Sequence, residues 1–164
     1  MGQFNAKILA EFQPPRKWKL GRDLTYTTTK LMGDEIKALQ DIGVDVKRDT
    51  DISPEASITV PTDFMTDLAS TPRLLWAFIA PFDVARAAIV HDLLYKAIRK
   101  YRWTKGTIEE DKTLIKKAKV VADKVFRLAM KDADPKVSGW KIYSAWKAVD
   151  LFGRWSIIPN EKNI

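Results

Sequence analysis

Val84-Ala85-Arg86-Ala87-Ala88-Ile89-Val90-His91-Asp92-Leu93-Leu94-Tyr95-Lys96-Ala97-Ile98-Arg99 is the stretch whose reading decides the fold. Apolar residues recur at three- and four-residue intervals, so Ala88, His91, Tyr95 and Ile98 share one face of a helix. No window of the chain approaches the roughly 18 apolar residues that cross a bilayer. The run therefore reads as a helix of a globular core. Within it stands the one histidine of the chain, His91, beside Asp92 and one turn before Tyr95. Burying an imidazole and a carboxylate together is costly unless they are paired. A lone histidine placed there has a task, in structure or in chemistry.

On the C-terminal side, Thr107 and Glu110 make a capping box that opens a second helix. It runs to about residue 131, with Leu114, Ala118, Val121, Ala122, Val125 and Ala129 as its inner stripe. Asp134 as cap and Pro135 in the first turn predict a third helix ending near Gly153. The residues from Trp155 onward read as a loosely ordered tail. On the N-terminal side, residues 74–79 form a short apolar element closed by Pro81. Before it lie strand-like runs at 8–12, 18–20, 24–28 and 57–60, rich in residues that favour a pleated surface. The polar stretch 33–55 reads as an insertion, with a short helix over 34–40 capped near Gly43 and a loop over 49–55. The expectation is one α+β domain over residues 1–164. A small antiparallel sheet (8–62, interrupted at 33–55) packs on about three C-terminal helices (72–153), followed by the tail 154–164.

At 164 residues, 46% hydrophobic and 30% charged, the composition is that of an ordinary globular domain. The absence of cysteine excludes a disulfide, a thiolate nucleophile and a zinc–thiolate site. Met1 to Lys7 lack a cationic start and a long apolar run, so no secretory leader is expected and synthesis is cytoplasmic. A net charge of +7 invites a polyanionic partner such as nucleic acid. Acidic residues are interleaved almost everywhere, however, and the basic density peaks over 96–131 on what read as solvated helix faces.

Asp67 lies in Thr66-Asp67-Leu68-Ala69-Ser70, a strand-to-helix loop of the kind where functional groups collect. Asp123, in Ala122-Asp123-Lys124-Val125-Phe126, edges the apolar stripe of the following helix and can reach a histidine across an antiparallel helix pair. His91, Asp67, Asp92 and Asp123 could thus converge as an acid–base or divalent-metal site. The blander reading is a core histidine satisfied by a carboxylate. Arg73 can pin the loop through Asp67 or Asp63, or clamp an anion. Ser70 can cap, or act as a nucleophile activated by His91. Trp76, Trp140 and Trp146 fall at core spacing, whereas Trp103 reads as a surface anchor in a loop.

In these motifs the chain resembles the domain of unknown function 1353 family of tailed phages and prophages, from about residue 8 to 153. The resemblance rests on Trp18-Lys19-Leu20 and Leu24-Thr25-Tyr26, on Val60-Pro61 with Phe64 and Thr66-Asp67-Leu68-Ala69-Ser70, and on Pro72-Arg73. It continues in Arg86-Ala87-Ala88, Val90-His91-Asp92, Leu94-Tyr95, Ala122 to Phe126, Ala129-Met130 and Leu151-Phe152-Gly153. Residues 33–55 and 99–119 depart from the compact pattern and read as decorations of the same core. A more distant likeness joins His91-Asp92 and Tyr95, with an aspartate on the next helix, to the active-site helix of the phospholipase A₂ fold. That likeness implies His91 as general base and Asp123 (or Asp111) orienting its ring. Tyr95 would bond the same carboxylate, and Asp92 would hold calcium. The sequence has no glycine between Gly43 and Gly106 to form the glycine-rich calcium loop of that fold, so Asp67 would have to supply oxygens.

Three functional expectations follow. The family resemblance implies a tailed-phage virion component of the tail or its tip, bound to other virion proteins, with a structural or vestigial His–Asp pocket. The phospholipase likeness implies a small hydrolase acting on lipid or host envelope. The charge admits a basic host-interaction or nucleic-acid-binding protein.

Overall fold

Two five-residue strands of alternating character, Leu24–Thr28 (β4) and Ala56–Val60 (β6), seed the sheet on which the helices pack. Leu24, Tyr26 and Thr28 face inward opposite Val60, Ile58 and Ala56, and all six are buried. The computed structural model describes residues 2–15, 17–48, 55–66, 81–105 and 109–164. Gln3–Phe4 (β1) and Val46–Arg48 (β5) complete a four-stranded antiparallel sheet in the order β1-β4-β6-β5. Ala10–Gln13 (β2), Lys17–Leu20 (β3) and Met65–Thr66 (β7) form a second antiparallel sheet in the order β2-β3-β7. The expected single sheet is thus two. Leu20 belongs to β3 and Leu24 to β4, so the turn between them carries the chain from one sheet to the other.

Among the described residues four helices pack with these sheets: α1 (Gly33–Asp41), α2 (Pro81–Lys105), α3 (Glu109–Lys131) and α4 (Gly139–Ser156). The α+β expectation holds, but residues 33–48 are not a decoration. Ile36, Leu39, Ile42, Val44 and Val46 are buried in the common core, and Glu35 of α1 binds Lys124 of α3 at 2.7 Å. Gly43 ends α1 with φ +87°, the left-handed turn that glycine adopts without strain.

The expected 84–99 helix is longer at both ends. Pro81 opens it, since its missing N–H falls among the unpaired donors of a first turn. Arg102 and Lys105 in the last turn complement the C-terminal dipole, and Trp103 is a half-exposed helical residue rather than a loop anchor. Asp134 and Pro135 do not start the last helix. The half-buried Val137 first anchors the chain on the core, and the Ser138 carbonyl then accepts the first helical bond, from Ile142 N at 3.1 Å. The tail is fixed rather than loose. Ile157 is buried, and Arg99 Nε donates to the Asn163 carbonyl at 2.7 Å. Arg102 Nη1 donates to the Ile157 carbonyl at 2.7 Å. The proposed capping box at Thr107, the apolar element 74–79 and Trp76 lie outside the described residues.

Candidate functional site

The α2–α3 pair makes the site. Tyr101 donates to Asp111, and His91 and Tyr95 both reach Asp123, so partners on α2 run backward as those on α3 run forward. The two helices are therefore antiparallel, and the apolar stripe on each buries the polar groups set among it. His91 is 6% exposed and Asp123 3%. His91 Nε2–H donates to Asp123 Oδ1 at 3.0 Å, and the Tyr95 hydroxyl donates to the same oxygen at 2.7 Å. Lys119 Nζ donates to Asp123 Oδ2 at 2.7 Å. The imidazole is clamped between the Tyr95 and Phe126 rings, with centroids 4.0 and 4.8 Å away.

Burial works against the charge of Asp123, but the hydrogen bond and electrostatic pull of His91, with those of Lys119 and Tyr95, hold its carboxyl below the usual range. Burial, and then the neighbouring Asp123 charge, push the Tyr95 hydroxyl well above its ordinary value, so it stays a donor. The bond to the Asp123 carboxylate places a proton on Nε2, and Nδ1 has no hydrogen-bond partner among the described residues. The ring lines a cavity of about 360 Å³ between α2, α4, β7 and the C-terminal segment. Lys17, Lys96, Arg99 and Lys162 stand around this cavity, and Asp92 contributes a carboxylate to its wall.

Of the residues singled out by sequence, the structure gathers His91, Tyr95 and Asp123, with Asp92 on the same cavity wall. Asp92 Oδ2 accepts the Thr66 hydroxyl at 2.5 Å. Asp111 is engaged by Tyr101 at 2.7 Å, while it is Asp123 that bonds His91; Asp63 pairs with Lys19 at 2.7 Å. Asp67, Ser70 and Arg73 lie outside the described residues. Among the described residues no three His, Asp or Glu side chains form a metal-binding group, and no helix is long and apolar enough to cross a membrane.

Lys119 and Gly153 were missed by the sequence reading. Lys119 precedes Asp123 by one helical turn, a spacing that signals the ion pair. Gly153 lets α4 approach the network: a Cβ there would collide with the Tyr95 hydroxyl. Glycine in a helix near a tryptophan-rich end gave no such hint.

The fold and site define an α+β protein with a buried His–Asp–Tyr network under a cation-lined cavity. The chain belongs to the family described as Protein of unknown function (DUF1353), whose model matches residues 43–149. That span takes in His91, Asp92, Tyr95 and Asp123, but not β1 to β4, on which the sequence resemblance also drew. No curated protein and no solved structure matches the chain.

Proposed function

We propose that this protein is a small hydrolase of carboxylic esters in which His91 Nδ1 takes the proton from an attacking water. The orientation of the ring carries the reading. Asp123 and Tyr95 fix Nε2 as the donor, and the nitrogen left over belongs to a ring that lines the cavity. Nδ1 is unbonded without being one of the buried unpaired atoms, so a water in the cavity that the ring lines can reach it. This moves the hydrolase reading ahead of a vestigial pocket. Asp123 and Tyr95 are positioning groups: they set tautomer and ring angle and stabilise the imidazolium that forms.

A calcium ion is the cofactor suggested by the phospholipase likeness, and it would polarise the ester carbonyl. Calcium takes about six to eight oxygens, and the described residues offer Asp92, already engaged by Thr66. Asp67, placed by sequence beside Thr66, would be the second donor. We place the enzyme in the tail of a tailed phage, among other virion proteins and facing the host envelope. The family resemblance is the support for that setting.

The test is hydrolysis of a soluble short-chain ester and of dispersed phospholipid by the wild type and by His91→Gln, with and without a calcium chelator. Gln retains a donor toward Asp123, so folding should change little while turnover falls by about 10²-fold or more. A variant that hydrolyses at the wild-type rate, or a wild type with no activity on either substrate, overturns the assignment.

A further inference from the structure

α4 is attached to the core by Ile142, Ala145, Val149 and Gly153, all buried. A helix bound by one face ordinarily shows polar residues on the other. Here the outer face carries Trp140, Tyr143, Leu151 and Trp155, which are 57, 57, 50 and 54% exposed. Their spacing places them on one stripe with Lys147 and Arg154. An aromatic side chain offers roughly 150–250 Å² of surface. Four large residues left half open therefore make a patch of several hundred Å², at the upper end of what monomers leave uncovered.

Cations share this stripe: the Arg154 guanidinium lies 4.1 Å over the Trp155 ring, and Lys147 falls between Tyr143 and Leu151. Over residues 136–164 the basic groups are Lys136, Lys141, Lys147, Arg154 and Lys162, against Asp150 and Glu161. Asp150 is itself paired with Lys147. Protein interfaces deplete lysine at their centres. Amphipathic Trp and Tyr rings interleaved with Lys and Arg suit the boundary of an anionic bilayer, where rings sit at the headgroups and cations meet phosphate. The patch meets the cavity at one edge: the Trp155 ring lies 6.0 Å from that of Phe152, which stands on the cavity lining with Ser156, Lys96 and Lys162.

We propose that the outer face of α4 docks the protein on an anionic lipid surface, with the cavity opening beside the edge of that face. The substrate class becomes an anionic membrane lipid, a step that rests on the hydrolase reading, whereas the docking itself does not. The experiment is co-sedimentation with vesicles of phosphatidylcholine alone and of equal phosphatidylcholine and phosphatidylglycerol. The proteins compared are the wild type, the double variant Trp140→Ser/Trp155→Ser and His91→Gln, each checked for an unchanged melting temperature. The wild type and His91→Gln should bind the mixed vesicles alike, with salt weakening the binding. The double variant should lose about tenfold or more in partitioning. Equal binding by the double variant, no preference for the anionic vesicles, or no binding at all overturns the proposal. So does self-association of the wild type that the double variant abolishes, which assigns the patch to a second copy. Vesicle binding without any hydrolysis sinks the hydrolase reading alone. Hydrolysis of the soluble ester without vesicle binding sinks the docking face alone.

Discussion

Replacing Asp123 by Asn tests structure and chemistry at one position. The substitution keeps the shape but removes the charge that accepts from His91, Tyr95 and Lys119. An amide has one oxygen, so it cannot serve the donors on both sides, and its NH₂ is turned against either the Lys119 ammonium or the His91–Tyr95 pair. Breaking a buried ion pair from one side costs about 3–5 kcal/mol. Lys119 is 12% exposed and retains the Asp150 carbonyl at 3.3 Å, which blunts the loss. The expected destabilisation is therefore at the low end, about 3 kcal/mol. In a domain of this size each kcal/mol moves the melting temperature by roughly 2–4 °C, so a drop of roughly 6–12 °C is expected. In the folded fraction His91 loses its tautomer control, and ester hydrolysis should fall by about 10²–10⁴-fold. Calorimetry and initial rates on one preparation decide. A melting temperature within error of the wild type would falsify the buried-network energetics. Unchanged turnover in a destabilised variant would reduce the network to scaffolding.

The depressed carboxyl of Asp123 gives a pH signature of definite sign. Its contribution is fully present above the ordinary carboxylate value of about 4 and is lost as pH falls through the lower folded-state value. The gap between the urea midpoints of wild type and Asp123→Asn should therefore shrink as pH falls below the ordinary carboxylate value of about 4. A gap that widened below about pH 4 would refute the assignment. Gly153→Ala should be destabilising by about 1–3 kcal/mol, through overpacking, although alanine is ordinarily the better helix former by about 1 kcal/mol. The new Cβ would meet Tyr95 Cζ at 3.1 Å and Lys119 Cε at 3.2 Å, besides colliding with the Tyr95 hydroxyl. Thermal melting is the measurement, and a raised melting temperature would show that α4 can shift without disturbing the network.

Local periodicity made the α+β class, the helix around His91, the short helix before Gly43 and the strands β4 and β6 readable from the chain. In each of these, side-chain spacing and burial follow one element and need no knowledge of neighbours. The pairing of His91 with Asp123 was legible for a related reason. Polar residues on apolar stripes of consecutive helices have few places to go except toward each other. Tertiary structure alone decided the rest. Val46 to Arg48 is too short and polar to announce a strand, and becomes one by pairing with β6. Trp140 falls at core spacing, yet α4 turns its other side inward and leaves the ring in solvent. The tail gains order from Arg99 and Arg102, cations that its own sequence does not contain. Which imidazole nitrogen is bonded was decided by Asp123, 32 residues away on another helix.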